Sequence, residues 1–352
     1  MIRTAASTSP PEIGAAPDRS GLSFSKEVYL RAFRCMVLAR TLDDKLAGLY
    51  RAGKIHGGVF LGRGQEALSA ALGVQLKPGD VYAPLIRDGA GRIAFGEAVI
   101  DALRTCIGSP LGPMRGRDGN VHRGQPKDGY LAMISHLGAM ISVVNGSLIG
   151  KRFQGLTGHI GAACIGEGGT STGAFHEAMN QAAIEKLPLV MVVADNQYAY
   201  STPKSRQFAC SSLLDRAAGY GITGETVDGT RLGECLSAIG KAVERARAGG
   251  GPHMIVASLL RLCGHGEHDD AGYIDPALKT SALGQDCVSL AEMELRQQGL
   301  ATAAEIDTWH HQAVREVEDA LSIVQLEPQP DPYAEEWTAL STPRLRETPN
   351  AS

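Results

Sequence analysis

Apolar residues between positions 25 and 52 recur at helical spacing, with Val28, Leu30, Phe33, Met36, Val37, Leu46 and Leu49 carrying the repeat. That predicts a helix over Ser25–Ala52. The glycine-rich stretch GKIHGGVFLGRGQ follows, then a second helix over Glu66–Val74. GDVYAPLIRDG reads as a short strand leading into a polar turn around Arg87. From Met114 to Gly129 the chain is charged and glycine-rich with no period. A loop this long inside a compact domain is functional or mobile. YLAMISHLGAMISVVNGSLIG then passes from an apolar strand into a helix of small residues.

The pattern is clearest in the centre. HIGAACI and LPLVMVVAD are continuous apolar runs, and the segment between them, Thr172–Glu185, has a helical period. Strands apolar on both faces belong to buried parallel sheets, and a strand–helix–strand unit of this length is a right-handed crossover. ETVDG opens another such unit, with its helix over Leu232–Ala248 and its strand in HMIVASLL. Helices follow at 288–298 and 303–325. With no repeat and no linker, the prediction is an α/β parallel-sheet fold with helices on both faces and helical extensions at both ends. It forms one domain over 23–327, preceded by a flexible arm (1–22) and followed by a Pro-rich tail (328–352).

Composition narrows the function classes. The chain has 352 residues, 43% of them hydrophobic, and a net charge of −4, which argues against a general nucleic-acid or membrane-surface binder. Seven scattered cysteines with no CxxC pair read as reduced thiols in a cytoplasmic protein. No apolar run has the length of a membrane span. The first 21 residues lack the apolar centre of a secretory signal.

The candidate chemistry lies at the ends of the two central strands. In open α/β sheets ligands sit beyond the carboxyl ends of the strands. Gly166, Glu167 and Gly168 stand at one such end, and Asp195, Asn196, Gln197 and Tyr198 at the next. A carboxylate there costs several kcal/mol to desolvate unless it meets a cation, so Glu167 needs a partner. One carboxylate, one amide oxygen and backbone carbonyls make an oxygen set suited to magnesium or calcium. A helix beginning near Ser171 or Thr172 would present free N–H groups to the same space, a seat for a diphosphate. The bland alternative is a tight turn with Glu167 in solvent.

GEGGTSTGAFHEAMNQAAIEKLPLVMVVADNQYAYST resembles the thiamine-diphosphate signature of the 2-oxo acid dehydrogenases: Gly-Asp/Glu-Gly, a spacer of roughly thirty residues, and a closing Asn. It is most similar to the α subunit of the decarboxylating component in the pyruvate, branched-chain 2-oxo acid and acetoin group. The likeness runs from about residue 40 to 275 and includes GRGQEA (62–67), GRDGNVHRG (116–124), YLAMISHLGAMIS (130–142) and RLCGHGEHDD (261–270).

The resemblance implies a thiamine-diphosphate-binding fold and the cofactors thiamine diphosphate and magnesium. Glu167 and Asn196 would be magnesium ligands through their side chains, and Tyr198 through its carbonyl. Gly166, Gly168 and Gly169 would pack on the diphosphate, with Arg87 adding positive charge. Ser135 and Leu137 would line the rest of the cofactor, Tyr200 would lie nearby, and His265 would be the catalytic residue facing the reacting carbon. It further implies oxidative decarboxylation of a small-molecule 2-oxo acid (branched-chain, or pyruvate) with acyl transfer to a lipoyl-bearing acyltransferase. A separate β subunit would complete the site in an α₂β₂ heterotetramer. Acetoin is the alternative substrate, and a non-catalytic α/β metabolite- or nucleotide-binding subunit the alternative of another class.

Departures qualify the likeness. Glu167 stands where most relatives carry Asp, although branched-chain enzymes also use Glu. Ile86 replaces a tyrosine, Ala194 an arginine and His136 a proline. Ala139 and Met140 replace polar residues of a monovalent-cation site, so no such site is expected. Gly266 and His268 stand at the places of regulatory serines, which excludes kinase control there. GHGEHDD also admits a zinc reading through His265, His268 and Asp269. His122 lies in the long polar loop, near the expected cofactor channel or simply on the surface.

Overall fold

The computed structural model describes residues 24–119, 122–331 and 333. The predicted N-terminal arm and all but the start of the C-terminal tail lie outside the described residues. The chain runs through helix α1 (Lys26–Arg51), α2 (Glu66–Gly73), strand β1 (Val81–Ala83), α3 (Gly89–Phe95), α4 (Val99–Ile107), α5 (Ala139–Phe153) and β2 (Gly161–Gly166). There follow α6 (Gly173–Ile184), β3 (Leu189–Asp195), the two-residue strands β4 (Tyr198–Ala199) and β5 (Thr202–Pro203), α7 (Leu214–Gly219), β6 (Thr223–Asp228) and α8 (Leu232–Arg247). Strand β7 (His253–Ser258), α9 (Pro276–Lys279), α10 (Cys287–Gln297) and α11 (Ala303–Gln325) complete it.

Five strands form one parallel sheet in the order β1-β2-β3-β7-β6, while β4 and β5 make a separate antiparallel pair. Alternation along each strand explains why the apolar runs are continuous. Ala162, Val190, Val192, Ala194, Ile255 and Ala257 point to one face and pack with α1, α2 and α8. Ala163, Ile165, Met191, Val193, Met254 and Val256 point to the other, against α5, α6 and α7. A third apolar cluster joins α1, α4 and α11 at the N- and C-terminal end of the fold. The helix starts carry the caps their sequences supply: Ser25 for α1, Thr172 for α6 and a Thr302–Glu305 capping box for α11.

One element differs from expectation. Residues 130–134 are not a strand: Tyr130 makes isolated bridges to Tyr82 and Gln125, and the chain then leaves the sheet. Strand β1 is only three residues long, so its free edge offers one rung, Tyr82 N–H to Gly129 O and Leu131 N–H to Tyr82 O, both 2.8 Å. Of the apolar residues after Tyr130, Met133 is buried and lines a cavity, while Leu131 packs against the sheet. The apolar run thus reflects burial without pairing.

Candidate active site

The register Ile165–Val193 and Gly166–Ala194 brings the carboxyl ends of β2 and β3 side by side. A cavity of about 460 Å³ opens beyond them. Arg87, Ser135, Leu137, Gly166, Glu167, Gly168, Gly169, Asn196, Tyr198, Tyr200 and His265 all line it. Five segments far apart in sequence therefore converge on one cavity.

Glu167 is 1% exposed and makes no ion pair among the described residues. Its Oε1 accepts from Gln207 Nε2 at 3.0 Å and its Oε2 from the Asn196 backbone N–H at 3.2 Å. Burial raises its pKa, and the Gln207 hydrogen bond offsets only part of this. Asn196 donates Nδ2 to Gln65 Oε1 at 2.7 Å, which fixes the amide and leaves Oδ1 with a single long contact to Tyr198 N–H, 3.4 Å. The Tyr198 carbonyl accepts from Arg261 Nη1 at 3.2 Å and keeps a second lone pair. A buried, uncompensated carboxylate beside an under-used amide oxygen and a carbonyl is the donor set a hard divalent cation requires. The residues fit such an ion.

The glycines divide into two kinds. A Cβ on Gly166 would meet nothing within 4 Å, so its smallness leaves open space on the cavity wall. A Cβ on Gly168 would fall 2.5 Å from the Ala199 Cβ, and one on Gly169 2.7 Å from Ile165 Cγ1. Those two are glycine because the protein packs on them; clearance for a ligand explains Gly166 alone. The helix after the glycines begins where expected, with Thr172 as its cap. Gly168–Ser171 is a 3₁₀ turn, and α6 starts beyond it under the Thr172 side chain, which accepts from Phe175 N–H. The backbone of 166–169, not the first turn of α6, borders the cavity.

His265 lines the same cavity and sits between aromatic rings. Its centroid lies 4.4 Å from Tyr200 and 5.4 Å from Phe60. Burial, then the charges of Arg87 and Arg261, push its pKa down to about 4, so the ring is neutral at pH 7. Arg87 Nη2 lies 3.5 Å from Nδ1, and a guanidinium can only donate, so Nδ1 accepts and the proton resides on Nε2. Arg87 also donates to the carbonyls of Leu61 (2.8 Å) and His265 (2.6 Å). Burial lowers its pKa to about 10, and it stays charged at neutral pH.

Asp269 orders the His265 loop. It accepts from His265 N–H (2.7 Å), Ala271 N–H (2.9 Å) and Tyr273 Oη (2.6 Å). Although burial opposes this, those hydrogen bonds hold its pKa at about 2. Arg261, fully buried, ties the same loop to the Tyr200 carbonyl at 2.8 Å and to the Tyr273 hydroxyl. Among the described residues no cluster of three metal-ligating side chains exists, and Asp269 turns to backbone and tyrosine instead of to His268. The zinc reading falls.

His122 faces the cavity after all. Its Nδ1 meets Asp118 Oδ2 at 2.7 Å and its Nε2 meets Ser135 Oγ at 3.2 Å, a carboxylate–imidazole–hydroxyl series at the cavity mouth. Leu137 stands beside it, 41% exposed. Sequence reasoning missed Phe60, Gln65 and Gln207. Gln65 lay inside the quoted GRGQEA element, but nothing in the pattern says that its amide meets Asn196, 131 residues away. No helix is long and apolar enough to cross a membrane among the described residues.

A model of the dehydrogenase E1 component family matches residues 33–333. The alpha subunit of acetoin:2,6-dichlorophenolindophenol oxidoreductase from Cupriavidus necator is 32% identical over 90% of this chain and 96% of its own length. The pyruvate dehydrogenase E1 component subunit alpha of Rhizobium meliloti is 30% identical over 94% and 96%. The 2-oxoisovalerate dehydrogenase subunit alpha of Bacillus subtilis is 34% identical over 71% and 76%. The chain belongs to the dehydrogenase E1 component family.

Proposed function

We propose that this chain is the α subunit of a thiamine-diphosphate- and magnesium-dependent 2-oxo acid dehydrogenase, active with a separate β subunit. One observation carries the reading: a buried Glu167 carboxylate without a cationic partner lines one cavity together with the Asn196 amide and the His265 ring. Glu167, Asn196 and the Tyr198 carbonyl hold magnesium. Gly166 leaves room for the diphosphate beside the charge of Arg87. Thiamine diphosphate supplies the electron sink for chemistry at a carbonyl carbon.

This chain's residues do the rest. The neutral His265 donates its Nε2 proton in a hydrogen bond to oxygen atoms that gain negative charge during the reaction. Phe60 and Tyr200 hold the ring in place and exclude water from one side of it. Asp118 orients His122 toward Ser135 at the mouth. The acyl product passes to a lipoyl-bearing acyltransferase, and the β subunit covers the exposed rim around Ser135 and Leu137 in an α₂β₂ assembly.

Acetoin is the second reading, favoured by the Cupriavidus necator relative, which is aligned over nearly its whole length. Co-expression with a β-type subunit, followed by dichlorophenolindophenol reduction with pyruvate, 3-methyl-2-oxobutanoate and acetoin, separates the readings. Thiamine-diphosphate-dependent turnover of a 2-oxo acid is expected. Turnover of acetoin alone establishes the second reading, and turnover of none overturns both.

A further inference from the structure

We infer that Gln207 belongs to the divalent-cation site, holding Glu167 through Nε2 and offering Oε1 to a water molecule on the cation. The inference rests on the reading of Glu167 and Asn196 as cation ligands. Gln207 ends the short 3₁₀ turn Lys204–Arg206, 40 residues after Glu167 in the chain. Both of its amide protons are committed, one to Glu167 Oε1 at 3.0 Å and one to the Thr202 carbonyl at 2.9 Å. That fixes which way the amide faces.

Its oxygen is the anomaly. Oε1 is buried and has no hydrogen-bond partner, and a buried acceptor without a donor costs free energy. A Cβ added at Gly168 would lie 3.1 Å from this oxygen, so the acceptor stands directly over the turn that follows Glu167. The carboxylate and the vacant acceptor are thus two halves of one incomplete arrangement: a negative group needing a cation, and an acceptor needing a donor. A hydrated divalent cation supplies both, because magnesium keeps part of its water shell when protein-bound. Outer partners of this kind orient the ligands and tune affinity.

The test uses the assembled α/β enzyme with thiamine diphosphate and Mn²⁺ as the probe, read by electron paramagnetic resonance of bound against free Mn²⁺. Gln207→Leu is expected to weaken Mn²⁺ binding by about 10- to 100-fold. Gln207→Glu removes both donors but keeps an acceptor, and is expected to bind clearly tighter than Gln207→Leu. Ser171→Ala removes the 3.1 Å anchor on the Gln207 backbone carbonyl without touching the amide, and should stay within about twofold of the unmodified enzyme. Unchanged affinity in Gln207→Leu overturns the inference, as does Gln207→Glu binding no better than Gln207→Leu. Glu167→Gln is the separate check on the underlying reading: Mn²⁺ binding retained in that variant overturns the ligand assignment itself.

Discussion

Glu97 and Glu167 both bury their carboxylates and are pushed in opposite directions. Glu97 receives Arg123 through both oxygens, at 2.6 and 2.8 Å, with the Tyr130 hydroxyl at 2.9 Å and Arg92 nearby. Burial opposes its ionisation, but the charges of Arg123 and Arg92 outweigh it and its pKa falls. Glu167 receives only neutral N–H donors, so burial wins and its pKa rises. The first carboxylate is completed by its own chain and pins the loop that carries His122. The second has only neutral donors among the described residues, and the proposed cation site rests on that difference.

The signs lead to opposite pH behaviour. Glu97, depressed, contributes stability above the ordinary carboxylate range, and this is lost as pH falls through its folded pKa. Glu167, raised, carries an ionisation penalty at neutral pH in the cation-free protein, and that penalty disappears as pH falls through its folded pKa. Protons therefore compete with the cation at Glu167, and divalent affinity should drop as pH falls below that raised value.

The largest expected effect separates the two residues by stability. Glu97→Gln leaves Arg123, 6% exposed, without its charge partner and should destabilise the protein by about 3–5 kcal/mol in denaturant unfolding. Little change there would mean that the Glu97 pair is not the anchor its geometry suggests. On the cavity side, His265→Asn should lower kcat by about 100- to 10,000-fold while leaving thiamine-diphosphate affinity nearly intact. A loss of affinity with kcat unchanged would reassign the ring to binding. A smaller effect is expected at Gln65. Gln65→Leu frees the Asn196 amide to rotate and should weaken divalent binding by about 10-fold, with Gln65→Glu, which keeps an acceptor, closer to the unmodified enzyme.

The sheet and the location of the cavity could be read from the residue pattern because both follow from local rules. Apolar runs such as LPLVMVVAD must be buried on two faces, and in a parallel sheet the strand ends that follow them converge. Glu167 and Asn196 stand at those ends. What escaped depends on contacts that no period encodes. Residues 130–134 look like a strand because Met133 and its neighbours are apolar, yet β1 offers them a single rung. The roles of Gln65 and Gln207 rest on amide geometry across 131 and 40 residues. The glycines of GEGG share one appearance in sequence, and only the packing of Ala199 and Ile165 tells Gly168 and Gly169 from Gly166.

The cation-ligand role proposed for Glu167 is read out by titrating Mg²⁺ into the assembled α/β enzyme at saturating thiamine diphosphate, for the unmodified chain and for Glu167→Gln, by calorimetry at neutral pH. One cation per α chain is expected, bound at least about 100-fold more weakly by Glu167→Gln, with unfolding stability in the absence of cation equal to or above that of the unmodified enzyme. Equal Mg²⁺ affinity in the two proteins would contradict it.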